Sequence, residues 1–213
     1  MSEAPADAAL AFRLISTERL GGAFRPLDKV TVAHDSLSGG RELTVSREVM
    51  RAGTAAVIIP YDPVRDAIVA IRQFRIGAAL ATPFAAPLEL PAGLLDEGED
   101  AATAARRELA EETGLAATAI EEAFAILSSP GLCDEKAVVF LALVDASALA
   151  GSAGLAAENE DIVPAAFAVD ALVAAADEGR ILNGFLFASL QWFARKGRER
   201  AQAMRAHGHG EQA

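Results

Sequence analysis

The apolar positions of this chain fall into two rhythms, one of strands and one of helices. Thr54 to Pro60 (TAAVIIP) is an unbroken apolar run of strand length, which predicts a strand buried on both faces. Tyr61 to Arg65 (YDPVR) predicts a turn, and Ala67 to Arg75 (AIVAIRQFR) the returning strand of a hairpin. Ala78 to Pro87 reads as an Ala/Pro loop, followed by a short strand over Leu88 to Pro91. Ile120 to Leu127 and Ala137 to Val144 predict strands, and Ser128 to Lys136 (SSPGLCDEK) between them predicts a loop from its Pro, Gly and charge. Ala150 to Glu160 reads as loop, Ile162 to Ala168 as an edge strand, and Val169 to Glu178 as a short helix. Asn183 to about Met204 carries the helical rhythm, with Leu186, Leu190 and Phe193 along one stripe.

Ahead of this, residues 1 to about 10 are rich in Ala, Pro and acid and are expected to fray. Phe12 to Arg19, Lys29 to His34 and Glu42 to Val49 predict three short strands, with Gly21-Gly22 and Ser38-Gly39-Gly40 in the turns. A sheet of three strands with little apolar content cannot bury both faces by itself, so it is expected to lie on something else. Residues 1–50 are thus read as an N-terminal β element, 51–204 as the main domain and 205–213 as a disordered tail.

The most specific pattern lies between Gly93 and Leu115. Asp96, Glu97, Glu99 and Asp100 precede a run of helix formers, where the positive end of a helix dipole favours acid. Gly114 is placed to end that helix in a left-handed conformation. At roughly 100° per residue, Ala102, Ala105 and Leu109 share a face suited to pack on a sheet. Glu108, Glu111 and Glu112 stand at i, i+3 and i+4, so their carboxylates crowd together, and only Arg107 can pair with them along the helix. Such a cluster is costly unless a cation holds it, and all-oxygen ligation suits Mg²⁺ or Mn²⁺.

The spacing Gly93, five residues, Glu99, seven residues, Arg107-Glu108-Leu109, one residue, Glu111-Glu112, one residue, Gly114-Leu115 resembles the complete box of the Nudix hydrolase family, with every fixed position filled. The resemblance implies an α/β fold, an α/β/α sandwich with a mixed sheet and a small N-terminal antiparallel β element. Periodicity alone gives only α/β or α+β. It also implies hydrolysis of a diphosphate, with Glu108, Glu111, Glu112 and the Ala92 carbonyl as metal ligands and Glu111 and Glu112 in the catalytic set. Arg107 is expected to brace the box carboxylates. Glu99 reads equally as an outer contact of the metal site and as helix N-terminal charge compensation.

Pro130 stands sixteen residues beyond Gly114, as in family members acting on ADP-ribose. The flanking text, from REVMRAGTAAVIIPYDPVRD to ENEDI, resembles the bacterial ADP-ribose pyrophosphatase subgroup over roughly residues 12–195. That subgroup implies Mg²⁺-dependent cleavage of ADP-ribose to AMP and ribose 5-phosphate, and assigns Glu135, beside Asp134, as general base or as a positioner of water beside the metal. The loop departs from its relatives in reading LCDE, where they are often smaller and hydroxyl-rich. Arg75 resembles the phosphate-binding arginine, with Arg72 and Arg51 close enough to compete for the assignment. Arg47 and Phe24 resemble the groups at the nucleotide end, and read equally well as a surface ion pair and a core aromatic. Asn159 and Glu160 either hold a loop or touch the ribose. The subgroup further implies a homodimer whose N-terminal element crosses to the partner and completes its site.

Composition then narrows the setting. A formal net charge of −11 argues against a nucleic-acid or anionic-membrane surface, so metal ions and a few arginines must reverse the sign where a diphosphate binds. The single Cys133 excludes an internal disulfide and suits a reducing compartment. The first residues lack a basic segment and a long apolar core, and no run of about 18 apolar residues occurs, so a cytoplasmic location is expected. Cys133, the His207-x-His209 pair and Trp192 read as a bystander, part of a polar tail, and packing. Two other functions remain open: hydrolysis of another diphosphate sugar, such as GDP-mannose or a UDP-hexose, and nucleotide sensing without cleavage. Non-catalytic family members usually show damaged boxes, and here all three ligand glutamates are present.

Overall fold

The computed structural model describes residues 4–149, 151–154 and 161–208. Asn159, Glu160 and His209 lie outside the described residues. The chain divides into two compact units, Met1–Ala52 with Ser129–Glu135, and Gly53–Ser128 with Lys136–Ala213. The sequence placed Ser129–Glu135 in the main domain; it belongs instead with the N-terminal strands.

The first unit is a three-stranded antiparallel sheet, β1 (Phe12–Gly21), β2 (Leu27–Asp35) and β3 (Glu42–Met50), in that order. Every residue of β1 is exposed, Phe12, Leu14, Ile15 and Leu20 among them. The Ser129–Glu135 loop is stitched to the end of β3. Met50 N donates to Leu132 O at 3.0 Å, and buried Cys133 makes a parallel bridge to Met50. Asp134 accepts from Arg51 Nε at 2.6 Å and from Ala52 N at 2.7 Å, while Arg51 Nη1 reaches buried Asp28 at 3.4 Å. The LCDE text thus anchors the loop, Cys133 through burial and Asp134 through charge.

The second unit is built on a mixed sheet of seven strands. Its main order is β10 (Val163–Ala168), β5 (Ala67–Arg72), β4 (Thr54–Asp62), β9 (Lys136–Leu143) and β8 (Ala119–Leu127). The short strands β6 (Leu88–Glu89) and β7 (Ala92–Leu94) pair with β5 and β4. β4 and β9 run parallel, and the other pairs are antiparallel. The unbroken apolar text of β4, β5 and β9 follows from their central place, since all but Thr54, Arg72 and Lys136 are buried. β8 and β10 are edges, and Pro164 sits on β10 where a missing N–H is tolerated.

Helices cover both faces of this sheet. On one face, Ala56, Ile58 and Val69 pack against Ala104, Ala105 and Leu109 of α2 (Ala101–Thr113). On the other, Val57, Ile59 and Ile68 pack against α3 (Val169–Asp177), α4 (Gly184–Trp192) and α5 (Arg198–Gly208). This is the α/β/α sandwich that the resemblance implies.

Four local readings need correction. The expected loop Ala78 to Pro87 begins inside a helix, α1 (Ile76–Ala81), whose alanines favour that state, and β5 ends at Arg72 rather than Arg75. α1 buries none of its residues. The run from Asn183 is not one α-helix: a π-helical turn, Phe193–Gly197, separates α4 from α5. The Phe193 ring lies over Gly197, where a Cβ would come within 2.2 Å of a ring carbon, so glycine is required there. α5 continues through Gly208, occupying 205–208, which the sequence assigned to a disordered tail. On α2 the buried residues are Ala104, Ala105, Leu109, Glu112 and Thr113, and Ala102 is only half-buried.

Candidate active site

The local rules of helix formation explain where the acidic cluster lands. Asp100 caps α2, its Oδ1 accepting from Ala102 N at 3.0 Å and Thr103 N at 3.1 Å, a contribution of about 1 kcal/mol. Gly114 closes the helix at φ 71°, in the left-handed region expected of a glycine. Leu109, fully buried, fixes the rotation of α2 on the sheet, and its burial is worth roughly 1.5–3 kcal/mol. With that face fixed, Glu108 and Glu112 turn toward the backbone of β7, and Glu111 lies beside them against Arg107.

Arg107 organises the cluster. Its Nη1 donates to Glu108 Oε1 at 2.6 Å and to Glu111 Oε2 at 3.3 Å. Its Nη2 donates to Glu99 Oε2 at 3.0 Å and to the Leu94 carbonyl at 3.1 Å, and its Nε to Glu99 Oε1 at 3.2 Å. A planar guanidinium with donors in a fixed fork can serve three carboxylates and a strand carbonyl at once, and a lysine cannot. The bond to Glu99 comes first among the causes that push Arg107 above its ordinary value, and the same bond holds the Glu99 carboxyl below the usual range. Glu99 is also tied to the turn before α2 by Asp96 N at 3.0 Å. Its role is therefore to anchor Arg107, a partner eight residues away that helix spacing alone does not reveal.

Two backbone contacts complete the arrangement. Ala92 N donates to Glu112 Oε2 at 2.8 Å, orienting a glutamate that is almost wholly buried. A Cβ on Gly93 would fall 1.8 Å from Glu108 Oε1, so a bare glycine is what lets that carboxylate lie against β7. Carboxylates beside backbone carbonyls form an all-oxygen donor set, and its chemistry fits a hard divalent cation. As placed, Glu108 and Glu111 face Arg107, and among the described residues no three acidic, His or Cys side chains converge on one point.

The expected substrate groups are distributed between the units. In the second, Arg75 Nε and Nη2 both donate to Glu89 Oε2, at 3.0 and 2.8 Å, leaving Nη1 without a partner among the described residues. Register separates Arg75 from its rival Arg72. Glu89 lies opposite Ile71 and Leu88 opposite Arg72, so Glu89 and Arg72 belong to opposite faces of the sheet. Two-residue alternation from Val69 puts Ile71 on the α2 face, and from Ile68 it puts Arg72 on the α3 face. Arg75 is thus tied to a residue of the α2 face, and Arg72 points away from it.

In the first unit, Phe24 is 84% exposed, with the Arg25 guanidinium 5.2 Å above its ring, so it is no core aromatic. Arg47 is exposed on β3, and among the described residues its side chain donates only to the neighbouring Ser46 carbonyl, at 2.8 Å. Arg51 is committed to Asp28 and Asp134 and drops out as a phosphate ligand. Glu135 closes the Ser129–Glu135 loop, and its side chain has no hydrogen bond or ion pair among the described residues. No described helix is long and apolar enough to cross a membrane.

Residues 50–184 match the model of the NUDIX domain family, and the chain belongs to that family. It is 37% identical over 179 residues to the ADP-ribose pyrophosphatase of Escherichia coli (strain K12), covering 84% of this chain and 86% of that one. It is 30% identical over 154 residues to the GDP-mannose pyrophosphatase of Enterobacter sp. (strain 638), covering 72% and 80%. Among solved structures, an ADP compounds hydrolase superposes with a TM-score of 0.63 at 21% identity, over 91% of this chain and all of that one, a likeness of fold.

Proposed function

We propose that this protein is a divalent-metal-dependent pyrophosphohydrolase that cleaves ADP-ribose to AMP and ribose 5-phosphate. The observation that carries the reading is the box itself: Glu108, Glu111 and Glu112 held on one face of α2 by Arg107, Ala92 N and the bare backbone of Gly93. The similarity to an ADP-ribose pyrophosphatase along most of both chains supports the substrate.

Glu108, Glu111, Glu112 and the Ala92 carbonyl are the groups that would hold Mg²⁺, or Mn²⁺ in its place. When bound, such an ion withdraws charge from the phosphoryl oxygens and acidifies a coordinated water. Arg107 keeps the carboxylates close together despite their mutual repulsion, and Glu108 and Glu111 would have to turn from it to hold the ion. Arg75 offers Nη1 to the diphosphate while Glu89 fixes its guanidinium plane. Glu135 serves as general base, a role open to a carboxylate that no neighbour has claimed. Arg47 and Phe24 receive the nucleotide end, Phe24 by stacking.

The assembly proposed is a homodimer in which the Met1–Ala52 element is exchanged, supported by the wholly exposed β1 and its apolar side chains. No nucleic-acid or membrane partner is proposed for the enzyme, and its proposed location is the cytoplasm. A GDP-mannose or other diphosphate-sugar hydrolase is the second reading, favoured by the likeness to the Enterobacter enzyme. The test is a substrate panel with Mg²⁺. The expected result is a kcat/KM for ADP-ribose at least 10-fold above that for GDP-mannose and UDP-glucose. A reversed ranking overturns the substrate but keeps the chemistry, and no turnover of any of them favours a nucleotide sensor.

A further inference from the structure

A second cleft lies within the sandwich, on the sheet face opposite α2. It has a volume of about 610 Å³, within the 300–1,000 Å³ typical of small-molecule sites. The segment from Phe84 to Leu88 forms one wall, Phe167 of β10 and Leu172 of α3 another, and Arg180 to Leu182 the rim. Leu172 and Ile181 belong to the core cluster that contains Val57 and Ile68, whereas α2 packs on Ile58 and Val69 across the sheet.

The charge of this cleft runs against the rest of the molecule. The chain carries 30 acidic and 19 basic residues, yet the only charged residues lining the cleft are Arg72 and Arg180. Arg72 is exposed, has no ion pair among the described residues, and holds its guanidinium 5.8 Å from the centroid of the Phe167 ring. Among the described residues the Arg180 side chain pairs only with its near neighbour Glu178, at 2.7 Å, in an exposed pair that is easily exchanged for a ligand. A larger cavity of about 710 Å³ lacks this character, because Asp62 and Asp145 line it and hold its Arg65. Phe84, 62% exposed, adds a second aromatic face to the apolar lining.

An apolar slot with two aromatic faces takes a flat ring, and two guanidinium groups without a lining acid take an anion. We propose that this cleft is a second ligand site, for a small molecule that joins a flat aromatic ring to a phosphate or carboxylate. The site is independent of diphosphate cleavage: Arg72 and Phe167 hold the ligand through charge and stacking, and no bond is made or broken.

Calorimetric titration of the full chain with 1-naphthyl phosphate in the presence of Mg²⁺ tests the proposal. The probe has no diphosphate to hydrolyse. One molecule is expected to bind per chain with a Kd on the order of 0.1 mM, and 1-naphthol and inorganic phosphate at least 10-fold more weakly. Arg72→Gln is expected to weaken the probe at least 10-fold and Phe84→Ala about 3-fold, while Glu111→Gln, on the opposite face, leaves it unchanged. Both cleft side chains are exposed, so an unchanged unfolding temperature in either variant keeps the result interpretable. If 1-naphthol binds as tightly as the phosphate, or if folded Arg72→Gln and Phe84→Ala both bind like the parent, the proposal fails. Displacement of the probe by AMP from the Glu111→Gln protein assigns the site to nucleoside monophosphates. Failure to displace it assigns the site to aromatic acids or phosphates without a ribose.

Discussion

The glutamate cluster of α2 and the sheet β1–β3 have opposite kinds of completeness. Around α2, a single guanidinium serves Glu99, Glu108 and Glu111, a backbone N–H serves Glu112, and a glycine makes room for Glu108. Every residue of β1, by contrast, is exposed, as are Phe24 and Arg47. One chain is thus enough to hold the three box glutamates against their partners, whereas the N-terminal element carries apolar surface that a single copy leaves exposed. This contrast is what the proposed homodimer would explain, with chemistry from one chain and recognition shared between two.

The largest expected effect lies in the complete half of this comparison. Glu111→Gln or Glu112→Gln should lower kcat by roughly 10³-fold with the fold retained, since each removes one charge from the metal site. Steady-state kinetics with a thermal melt on the same sample checks this, and near-parental turnover in both variants removes the metal assignment. Arg75→Ala should cost about 2–4 kcal/mol in kcat/KM, and Arg72→Ala less than about 0.5 kcal/mol, because Arg72 faces the other side of the sheet. A severe loss in Arg72→Ala with Arg75→Ala intact reverses the choice.

The incomplete half is tested by mixing chains. Arg47→Ala and Glu112→Gln proteins, each impaired alone, are refolded together so that subunits exchange. Shared sites predict recovery to about a quarter of parental activity, with half of the dimers mixed and one of two sites working in each. No recovery in proven mixed dimers, or a monomer in solution, ends the shared-site reading.

A smaller effect sharpens how firmly the second unit holds its last helix. Arg198 donates to Asp66 at 3.0 and 2.8 Å and to Asp170 at 2.7 Å, and Tyr61 Oη donates to Asp66 at 2.8 Å. Arg198, ahead of the opposing effect of burial, holds the Asp66 carboxyl below its ordinary value. A lowered native value means that the stabilisation is present above the unfolded-state value near 4. It is lost as pH falls through the native one. The excess Tm of the parent over Asp66→Asn should therefore be constant from pH 6 to about 5 and shrink below about 4. An excess that grows on acidification would contradict this. At the alkaline end, burial pushes the Tyr61 hydroxyl up to about 12, so its contribution fades only above its ordinary value of 10.

Much of the second unit was legible in the sequence. The continuous apolar text of β4 and β9 marked the centre of the sheet, and the spacing from Gly93 to Leu115 located α2, its cap and its carboxylates. What stayed hidden depended on contacts between distant residues. The tie from Arg107 to Glu99 spans eight positions, and the pinning of the Cys133–Asp134 loop to Met50 and Arg51 spans about eighty. The π-helical turn after α4, with a ring resting on Gly197, is a feature that apolar rhythm does not encode. α1 was missed because an Ala-rich segment without a buried face gives no periodic signal.

The measurement that meets the central claim most directly is the product analysis of ADP-ribose by chromatography, with Mg²⁺ and again with EDTA. Metal-dependent attack on the diphosphate predicts AMP and ribose 5-phosphate in equal amounts, none in EDTA, and restoration when Mg²⁺ is returned in excess. Release of ADP and free ribose, or undiminished cleavage in EDTA, would contradict the account.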